Sequence, residues 1–361
     1  MHEPGTSTAA SSADRAARAA AFLAAAGVGS WRSETLPSDA SFRRYRRLHA
    51  PDGTTRLLMD APPEHEKPAL FAALSAHLIA LGLSAPAVFA ADLADGFLLL
   101  EDFGEDTFTR LLRAGAEEAA LYRGAVAVLA HLHGAADAPR VAVGPYDRTV
   151  LQQEAGLLLA WFLPLARGRP ASEGETAAFT AALDRVFDEL PPATPTLVLR
   201  DYHVDNLMRL PGREGLRAWG LLDFQDALLG PAAYDLVSLL EDARRDVPPA
   251  LVAEALAHYA AARGPALEEG FNAWYAALGA QRHAKVLGIF VRLAWRDGKP
   301  VYLAHLPRVW RLFAAALEKP ALAPLKPLIE KLLPEGAAAA AALSDPAETA
   351  RRIAAFGLPP A

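Results

Sequence analysis

The chain has 361 residues, a formal net charge of −6, and is 52 % hydrophobic and 22 % charged, which supplies a large buried core and room for roughly two domains. It contains no cysteine, excluding disulfides, thiol catalysis and cysteine-ligated zinc, and its mild acidity gives no concentrated basic surface for nucleic acid. No stretch approaches the ~18 uninterrupted apolar residues of a membrane helix, and the polar start MHEPGTSTAASSAD lacks a basic segment followed by an apolar one, so no membrane partner and no secretory signal is expected and the expected location is cytoplasmic.

In chain order, the first dozen or so residues read as a disordered tail. Ala13–Ala26 is Ala-rich and predicts a surface helix, amphipathic because Arg15 and Arg18 interrupt it, and ended by Gly27 and Gly29. Residues 1–30 are thus a tail and helix. Residues 31–101 are strand-rich, with Arg56–Met59 and Phe97–Leu100 flanked by the turn pairs Asp52-Gly53 and Asp95-Gly96. One helix, from about Glu66 to Leu81, puts Leu70, Leu74, Leu78 and Leu81 on a stripe.

Residues 102–334 change character. Helical patterns cover Ala116–His133, Ala177–Leu190, Tyr234–Arg245, Leu251–Arg263 and Ala273–Arg296, and only Thr196–Leu199 and Arg217–Leu222 read as strands. Residues 335–361 are an Ala-rich extension ending in a short amphipathic piece, Pro346–Phe356, that reads as a peripheral helix. The expected fold class is therefore α+β, with a small β-rich lobe joined near Glu101–Gly104 to a large helical one.

The strongest chemical signal is Leu199-Arg200-Asp201-Tyr202-His203-Val204-Asp205-Asn206, followed by Leu221-Leu222-Asp223-Phe224. An apolar strand enters a polar loop carrying an Asp and, five residues on, an Asn; a second apolar strand delivers another Asp. Phosphoryl transfer needs these parts, a carboxylate to accept a hydroxyl proton and oxygen ligands for Mg²⁺ on nucleotide phosphates. The spacing is that of the kinase catalytic loop.

On these residues, and on Gly230-Pro231-Ala232-Ala233-Tyr234-Asp235-Leu236, the chain resembles the aminoglycoside phosphotransferase and choline kinase superfamily. The resemblance implies a bilobal protein-kinase-like fold, ATP and Mg²⁺ as cofactors, Asp201 as base, Asn206 and Asp223 as metal ligands, and Asp235 as a brace for the loop rather than a plain helix cap. The family often carries His where Leu199 stands. Asp102-Phe103-Gly104 spells the kinase metal motif but precedes the catalytic loop, whereas the metal Asp must follow it. It reads instead as the hinge, where backbone groups of Glu101 to Phe103 would bond adenine.

The nucleotide lobe is less explicit. Ser38-Asp39-Ala40-Ser41-Phe42-Arg43-Arg44 stands where a phosphate-covering loop belongs, with Ser38, Ser41 and Arg43 as candidate contacts; an exposed loop is the alternative. Met59 occupies the place of the kinase β-strand lysine, leaving Arg43, Arg44 or Lys67 as possible substitutes, or metal alone. No Gly-x-x-x-x-Gly-Lys-Ser/Thr occurs, so a P-loop kinase is disfavoured.

For the acceptor, Arg282, Lys285, Arg292 and Arg296 recur at helical spacing, with Lys299, Arg308 and Arg311 beyond; Asp297 is the single acid from Gln281 to Arg311. Such a stripe is either a solvated face or a surface for an anionic substrate, and it repels a polycationic one. The runs Leu58-Met59-Asp60-Ala61-Pro62-Pro63-Glu64, Glu154 with Trp161-Phe162-Leu163, Gln281 to Phe290, and Arg296-Asp297-Gly298-Lys299 narrow the resemblance to bacterial cell-wall amino-sugar anomeric kinases. That family phosphorylates N-acetylmuramate and N-acetylglucosamine at the anomeric hydroxyl in peptidoglycan recycling. The resemblance also implies a functional link to a sugar 1-phosphate nucleotidyltransferase. The charge argument serves only N-acetylmuramate, which bears a carboxylate. Alternatives left open are a same-fold kinase of another small hydroxyl compound, of aminoglycoside or homoserine type, and a nucleotide-binding pseudokinase module. Among further residues, His203 and Asp205 either touch substrate or support the loop, Trp161 and Phe162 stack on a sugar or form a core pair, and His131 with His133 is a structural pair rather than a metal site, since neighbours two apart do not share a helix face.

Overall fold

The structure is a computed structural model that describes residues 7–37, 42–267 and 269–356. Residues 1–6 of the expected tail, and the candidate phosphate contacts Ser38 and Ser41, lie outside the described residues, while the rest of that tail, from Ser7, is helical rather than disordered. The chain divides into two compact units: one runs up to Val128 and adds Val204–Asp226, and the other comprises Leu129–His203 and the remainder from Ala227.

The first unit is built on five antiparallel strands, β1 (Arg32–Thr35), β2 (Arg44–His49), β3 (Thr55–Asp60), β4 (Val88–Asp92) and β5 (Phe97–Glu101), ordered β1-β2-β3-β5-β4. The period of two puts Leu48, Leu58, Phe97 and Leu99 on one face, where they pack with Ala19, Leu23 and Val28. The preceding helix α1 (Ser7–Ala25) therefore covers the sheet with one face. The two arginines that interrupt its Ala run are anchors: Arg15 Nε donates to Asp60 at 2.8 Å and Arg18 Nη1 to Asp95 at 2.6 Å. The Asp95-Gly96 turn requires its glycine, because φ there is +77° and an added Cβ would sit 2.0 Å from the Ala61 carbonyl oxygen. Helix α2 spans Pro68–Ala80 and buries Phe71, Leu74, Ser75 and Leu78. It starts two residues later than expected, with Pro68 in its first turn.

After β5 come α3 (Phe108–Arg113), capped by the Thr107 side chain accepting from the Arg110 amide, and α4 (Glu118–Gly134), which runs from the first unit into the second. In the second unit α5 (Arg148–Ala155) continues through a π-helical turn, Leu158–Phe162, into α6 (Leu163–Arg167). Trp161 stands edge-on to Trp295, and the buried Phe162 stacks on Trp310 at 5.8 Å, as in a core aromatic pair. Helix α7 is Glu173–Asp188, starting before the expected Ala177 because Ser172 and Glu175 form a capping box.

Between the helices lie four short strands rather than two. Strand β6 (Thr196–Val198) pairs with β9 (Leu228–Gly230) in the second unit, and β7 (Leu207–Arg209) pairs with β8 (Trp219–Leu221) in the first. All four are three residues long, and β7 and β9 are the two that the sequence pattern does not predict. The expected strand from Arg217 opens instead with a 3₁₀ turn, Gly215–Ala218.

Helix α8 (Ala233–Leu240) ends well before the expected Arg245, where the Asp242 side chain accepts the Arg244 amide at 2.7 Å and turns the chain away from the helix. Then come α9 (Pro249–Arg263) and α10 (Phe271–Trp295), 25 residues long and buried along most of its length against α5, α8 and α11 (Leu306–Leu317). The carboxy-terminal α12 (Lys326–Leu332), α13 (Gly336–Leu343) and α14 (Pro346–Phe356) follow. The extension is packed: Gly336 lies under the Trp310 ring, and Arg352 Nη1 donates to the Leu165 carbonyl at 2.9 Å. No described helix is long and apolar enough to cross a membrane.

Candidate active site

Asp201 lies just beyond β6 in the second unit. Between them Arg200 has φ of 68°, and the Asp201 amide donates to the Leu199 carbonyl at 2.8 Å. An i to i+2 turn with positive φ at a non-glycine residue is strained, by about 1–3 kcal/mol, and persists only if its surroundings hold it. Asp235, fully buried in the first turn of α8, supplies that hold. Its Oδ2 accepts the Leu199 amide and its Oδ1 the Arg200 amide, each at 2.8 Å. It is a brace for the loop, since α8 has no side-chain cap. His133, buried on α4, places Nε2 3.5 Å from Asp235 Oδ2 and Nδ1 3.0 Å from the Tyr259 hydroxyl. Leu199 is itself buried, so an apolar residue suits that position, and the support comes from α4 and α8.

The Arg200 side chain is fastened separately. Glu154, on α5, takes the Arg200 guanidinium and the Tyr146 hydroxyl, and also accepts from Lys285 Nζ at 2.8 Å and Gln281 Nε2 at 3.2 Å. Burial alone would raise the Glu154 pKa, but Lys285 and Arg200 outweigh it and hold the carboxyl below its ordinary value. Two cations therefore share one part-buried carboxylate, with the Tyr146 ring 5.4 Å from the Arg200 guanidinium. Sequence reasoning gave Glu154 no role beyond its place in a run that carries the resemblance, which was the available signal.

The metal-ligand candidates lie in the first unit. Asn206 closes a 3₁₀ turn, Val204–Asn206, and its carbonyl accepts the Leu222 amide at 2.9 Å across the β7–β8 hairpin. Asp223 follows that hairpin with φ of 55°. Buried Phe224 anchors it by stacking on Phe71 of α2, ring centroids 5.0 Å apart. Asn206 Nδ2 stands 3.5 Å from Asp223 Oδ2, so the hairpin brings the two together. A carboxylate and an amide are hard oxygen donors once the amide is turned about its long axis, an assignment made from hydrogen bonding. Two such ligands fit Mg²⁺, which keeps few protein oxygens and completes its shell with phosphate and water. Among the described residues no three His, Cys, Asp or Glu side chains cluster as a metal site.

Of the three candidate cations, Arg44 and Lys67 are exposed and Arg43 is turned inward. Arg43 Nη2 donates to Asp223 Oδ1 at 2.7 Å, an oxygen that also accepts from Gln225 Nε2 at 2.9 Å. Glu66 Oε2 stands 3.6 Å from Arg43 Nε. Burial would lower the Arg43 pKa, but Tyr45, Asp223 and Glu66 together raise it above its ordinary value. Met59 is buried opposite Leu98, its sulfur receiving the Tyr45 hydroxyl at 3.4 Å, so the kinase lysine's place is apolar.

At the end of β5 the Glu101 amide donates to the Ala87 carbonyl at 2.8 Å, and the Glu101 carboxylate holds Arg213. The Phe103 ring lies against Gly220, where an added Cβ would come within 2.9 Å. Asp102 is engaged by Arg47 at 2.7 and 3.3 Å and by the Gly104 amide at 2.9 Å, a brace for the turn.

The acceptor candidates each have their own partners. His203 is buried, with Nε2 3.5 Å from Arg244, whereas Asp205 receives the Thr109 hydroxyl in the first unit. Arg282 is buried with Nη2 on the Ser238 hydroxyl at 3.0 Å, and Lys285 sits on Glu154. Arg296 pairs with Asp297, and Arg308 and Arg311 pair with Asp246. The basic run is thus neutralised in part by acids from distant elements.

Residues 32–271 match the phosphotransferase enzyme family. The chain is 38 % identical over 358 residues to the N-acetylmuramate/N-acetylglucosamine kinase of Caulobacter vibrioides, covering 90 % of this chain and 98 % of that protein. It is 38 % identical over 318 residues to the protein of the same name from Pseudomonas aeruginosa, covering 85 % and 90 %. Among solved structures, the GDP complex of aminoglycoside 2'-phosphotransferase-IIIa aligns with a TM-score of 0.57 at 16 % identity, over 84 % of this chain and 99 % of that one. A macrolide 2'-phosphotransferase type I aligns with a TM-score of 0.52 at 17 % identity, over 88 % and 97 %. These two likenesses carry the fold, which is α+β and protein-kinase-like, with a small antiparallel sheet and a mostly helical remainder. With the family match spanning most of the chain and relatives alike over nearly their whole length, the chain belongs to the phosphotransferase enzyme family.

Proposed function

We propose that this protein transfers the γ-phosphoryl group of ATP, with Mg²⁺, to the anomeric hydroxyl of N-acetylmuramate and N-acetylglucosamine, giving sugar 1-phosphates. The observation that carries the reading is the 38 % identity to a kinase named for both sugars over 98 % of that kinase's length. In this reading Asp201 accepts the proton of the anomeric hydroxyl, which is more acidic than an ordinary alcohol and so eases the transfer. Asn206 and Asp223 hold Mg²⁺, which would offset charge on the phosphates. Arg43 takes the phosphates, with Ser38 and Ser41, outside the described residues, as further candidates, and the backbone from Glu101 to Phe103 takes adenine. Lys285, Arg282, His203 and Asp205 are the acceptor-side candidates. ATP use favours a cytoplasmic reaction, and a sugar 1-phosphate is the substrate class of a nucleotidyltransferase, the expected consumer.

The test is to incubate the purified protein with Mg-ATP and a panel of sugars, follow ADP release, and identify the product by phosphorus NMR. A phosphate coupled to the anomeric proton is expected with both amino sugars. ADP release with aminoglycosides alone, or with no hydroxyl acceptor at all, would sink the proposal.

A further inference from the structure

Kinases of this fold hold nucleotide phosphates with a strand lysine that is itself positioned by a helix glutamate. Here the lysine's position is Met59, buried and in contact with the Tyr45 hydroxyl. One strand away, Arg43 sends its guanidinium inward between two carboxylates, Asp223 at 2.7 Å and Glu66 at 3.6 Å. Its side chain is only 11 % exposed, and its Nε is buried without a hydrogen-bond partner. Glu66, lying just before α2, also accepts the Phe42 amide at 3.1 Å, while the Phe42 ring stacks on His65 at 4.2 Å. Two contacts therefore fix the segment that carries Arg43 to the segment that carries Glu66.

From this we infer that Arg43 and Glu66 together replace the kinase lysine–glutamate pair. Glu66 is the positioning residue, and Arg43 is the cation that takes the phosphates of the nucleotide and rests on Asp223 when the nucleotide is absent. The inference rests on the phosphotransferase reading above and adds to it both the partner of Arg43 and a second position for it. The geometry suits the exchange. Arg43 Nη2 occupies one oxygen of a carboxylate assigned to metal, and a guanidinium has five donors in a fixed fork. Moving to a phosphate frees that oxygen while Nε stays beside Glu66. A lysine in its place offers its three donors from one nitrogen, so it reaches both partners only from a point between them.

The exchange predicts two opposite effects of one substitution. Arg43→Met should weaken binding of Mg-ADP and of a non-hydrolysable ATP analogue by about tenfold or more, the scale of one lost charge-assisted bond. The same variant should bind Mn²⁺ alone more tightly than the wild type, because Asp223 no longer has a resident cation. Titration calorimetry reads the first and Mn²⁺ paramagnetic resonance the second, both without turnover. Glu66→Gln should weaken nucleotide binding several-fold in the wild type but change little in the Arg43→Met background, a coupling that a merely structural Glu66 would not give. Arg43→Lys should recover part of the nucleotide affinity. Unchanged nucleotide affinity in Arg43→Met, weaker Mn²⁺ binding, or additive effects of the two substitutions would overturn the inference. If Arg43→Met does not fold, Glu66→Gln and Arg43→Lys carry the same test through nucleotide affinity. A wild-type protein that binds no Mg-nucleotide would instead refute the functional reading itself.

Discussion

Asp201 and Asp223 are both delivered by strand ends in which a non-glycine residue adopts a left-handed backbone, Arg200 at φ 68° and Asp223 itself at φ 55°. The two are held by different means. The Asp201 turn is clamped by a buried carboxylate taking two backbone amides, and the side chain of Arg200 by a second carboxylate, Glu154, itself bonded to Lys285, Tyr146 and Gln281. The Asp223 side chain is 37 % exposed and held by an arginine, a glutamine and, at longer range, an asparagine. In the proposed roles, Asp201 as base gains from a fixed backbone, because it must meet a hydroxyl within hydrogen-bond reach, and Asp223 as metal ligand gains from partners that can leave.

The largest effect expected from breaking this contrast is at the base. Asp201→Asn should lower kcat by about 10²–10⁴-fold, the usual contribution of a positioned proton acceptor, with nucleotide affinity by calorimetry nearly unchanged. Loss of nucleotide binding would contradict its role.

Next comes the clamp. Asp235→Ala leaves two buried amides without acceptors, each costing about 1–3 kcal/mol, so the midpoint of urea unfolding should fall and kcat with it. Asp223→Asn should leave the unfolding midpoint nearly unchanged while lowering metal-dependent nucleotide affinity. If the two variants unfold alike, the distinction between fixed and exchangeable carboxylates fails.

Glu154→Gln should be milder and should show itself in acid. The folded-state pKa of Glu154 lies below its ordinary 4.5, so its ionisation stabilises the fold above that ordinary value. The contribution is lost as pH falls through the lower folded value. Wild-type stability should therefore decline from pH 5 towards acid more steeply than that of Glu154→Gln, measured by urea unfolding across the range. Parallel curves would remove Glu154 from the clamp.

The smallest effect belongs to a cation that the structure turns outward. Lys67→Ala should alter nucleotide affinity by less than about twofold, since exposed charges contribute little; a tenfold loss would move the phosphate role from Arg43 to Lys67.

Much of this was legible in the residues. The β-rich and helix-rich stretches follow from turn pairs and periodicity, and the order Asp201, Asn206, Asp223 is a spacing along the chain. Helix α7 begins earlier than its apolar pattern predicts because Ser172 and Glu175 form a capping box. Helix α8 ended early because Asp242 bonds the backbone beyond it. The strands β7 and β9 are not predicted, and it is their pairing with β8 and β6 that defines them. The basic stripe from Arg282 to Arg311 contains one acid in sequence, yet Glu154 on α5 and Asp246 after α8 neutralise part of it.

What the sequence determined by itself was the inventory: which carboxylates and amides stand at kinase spacing, which segments are strand or helix, and that the usual lysine is a methionine. These are matters of order and short-range pattern, and chain distance carries them. Tertiary structure alone decided the partners. Arg43 reaches Asp223 across 180 positions of sequence and Lys285 reaches Glu154 across 131, because charge pairing depends on distance in space, and no local rule couples residues so far apart along the chain.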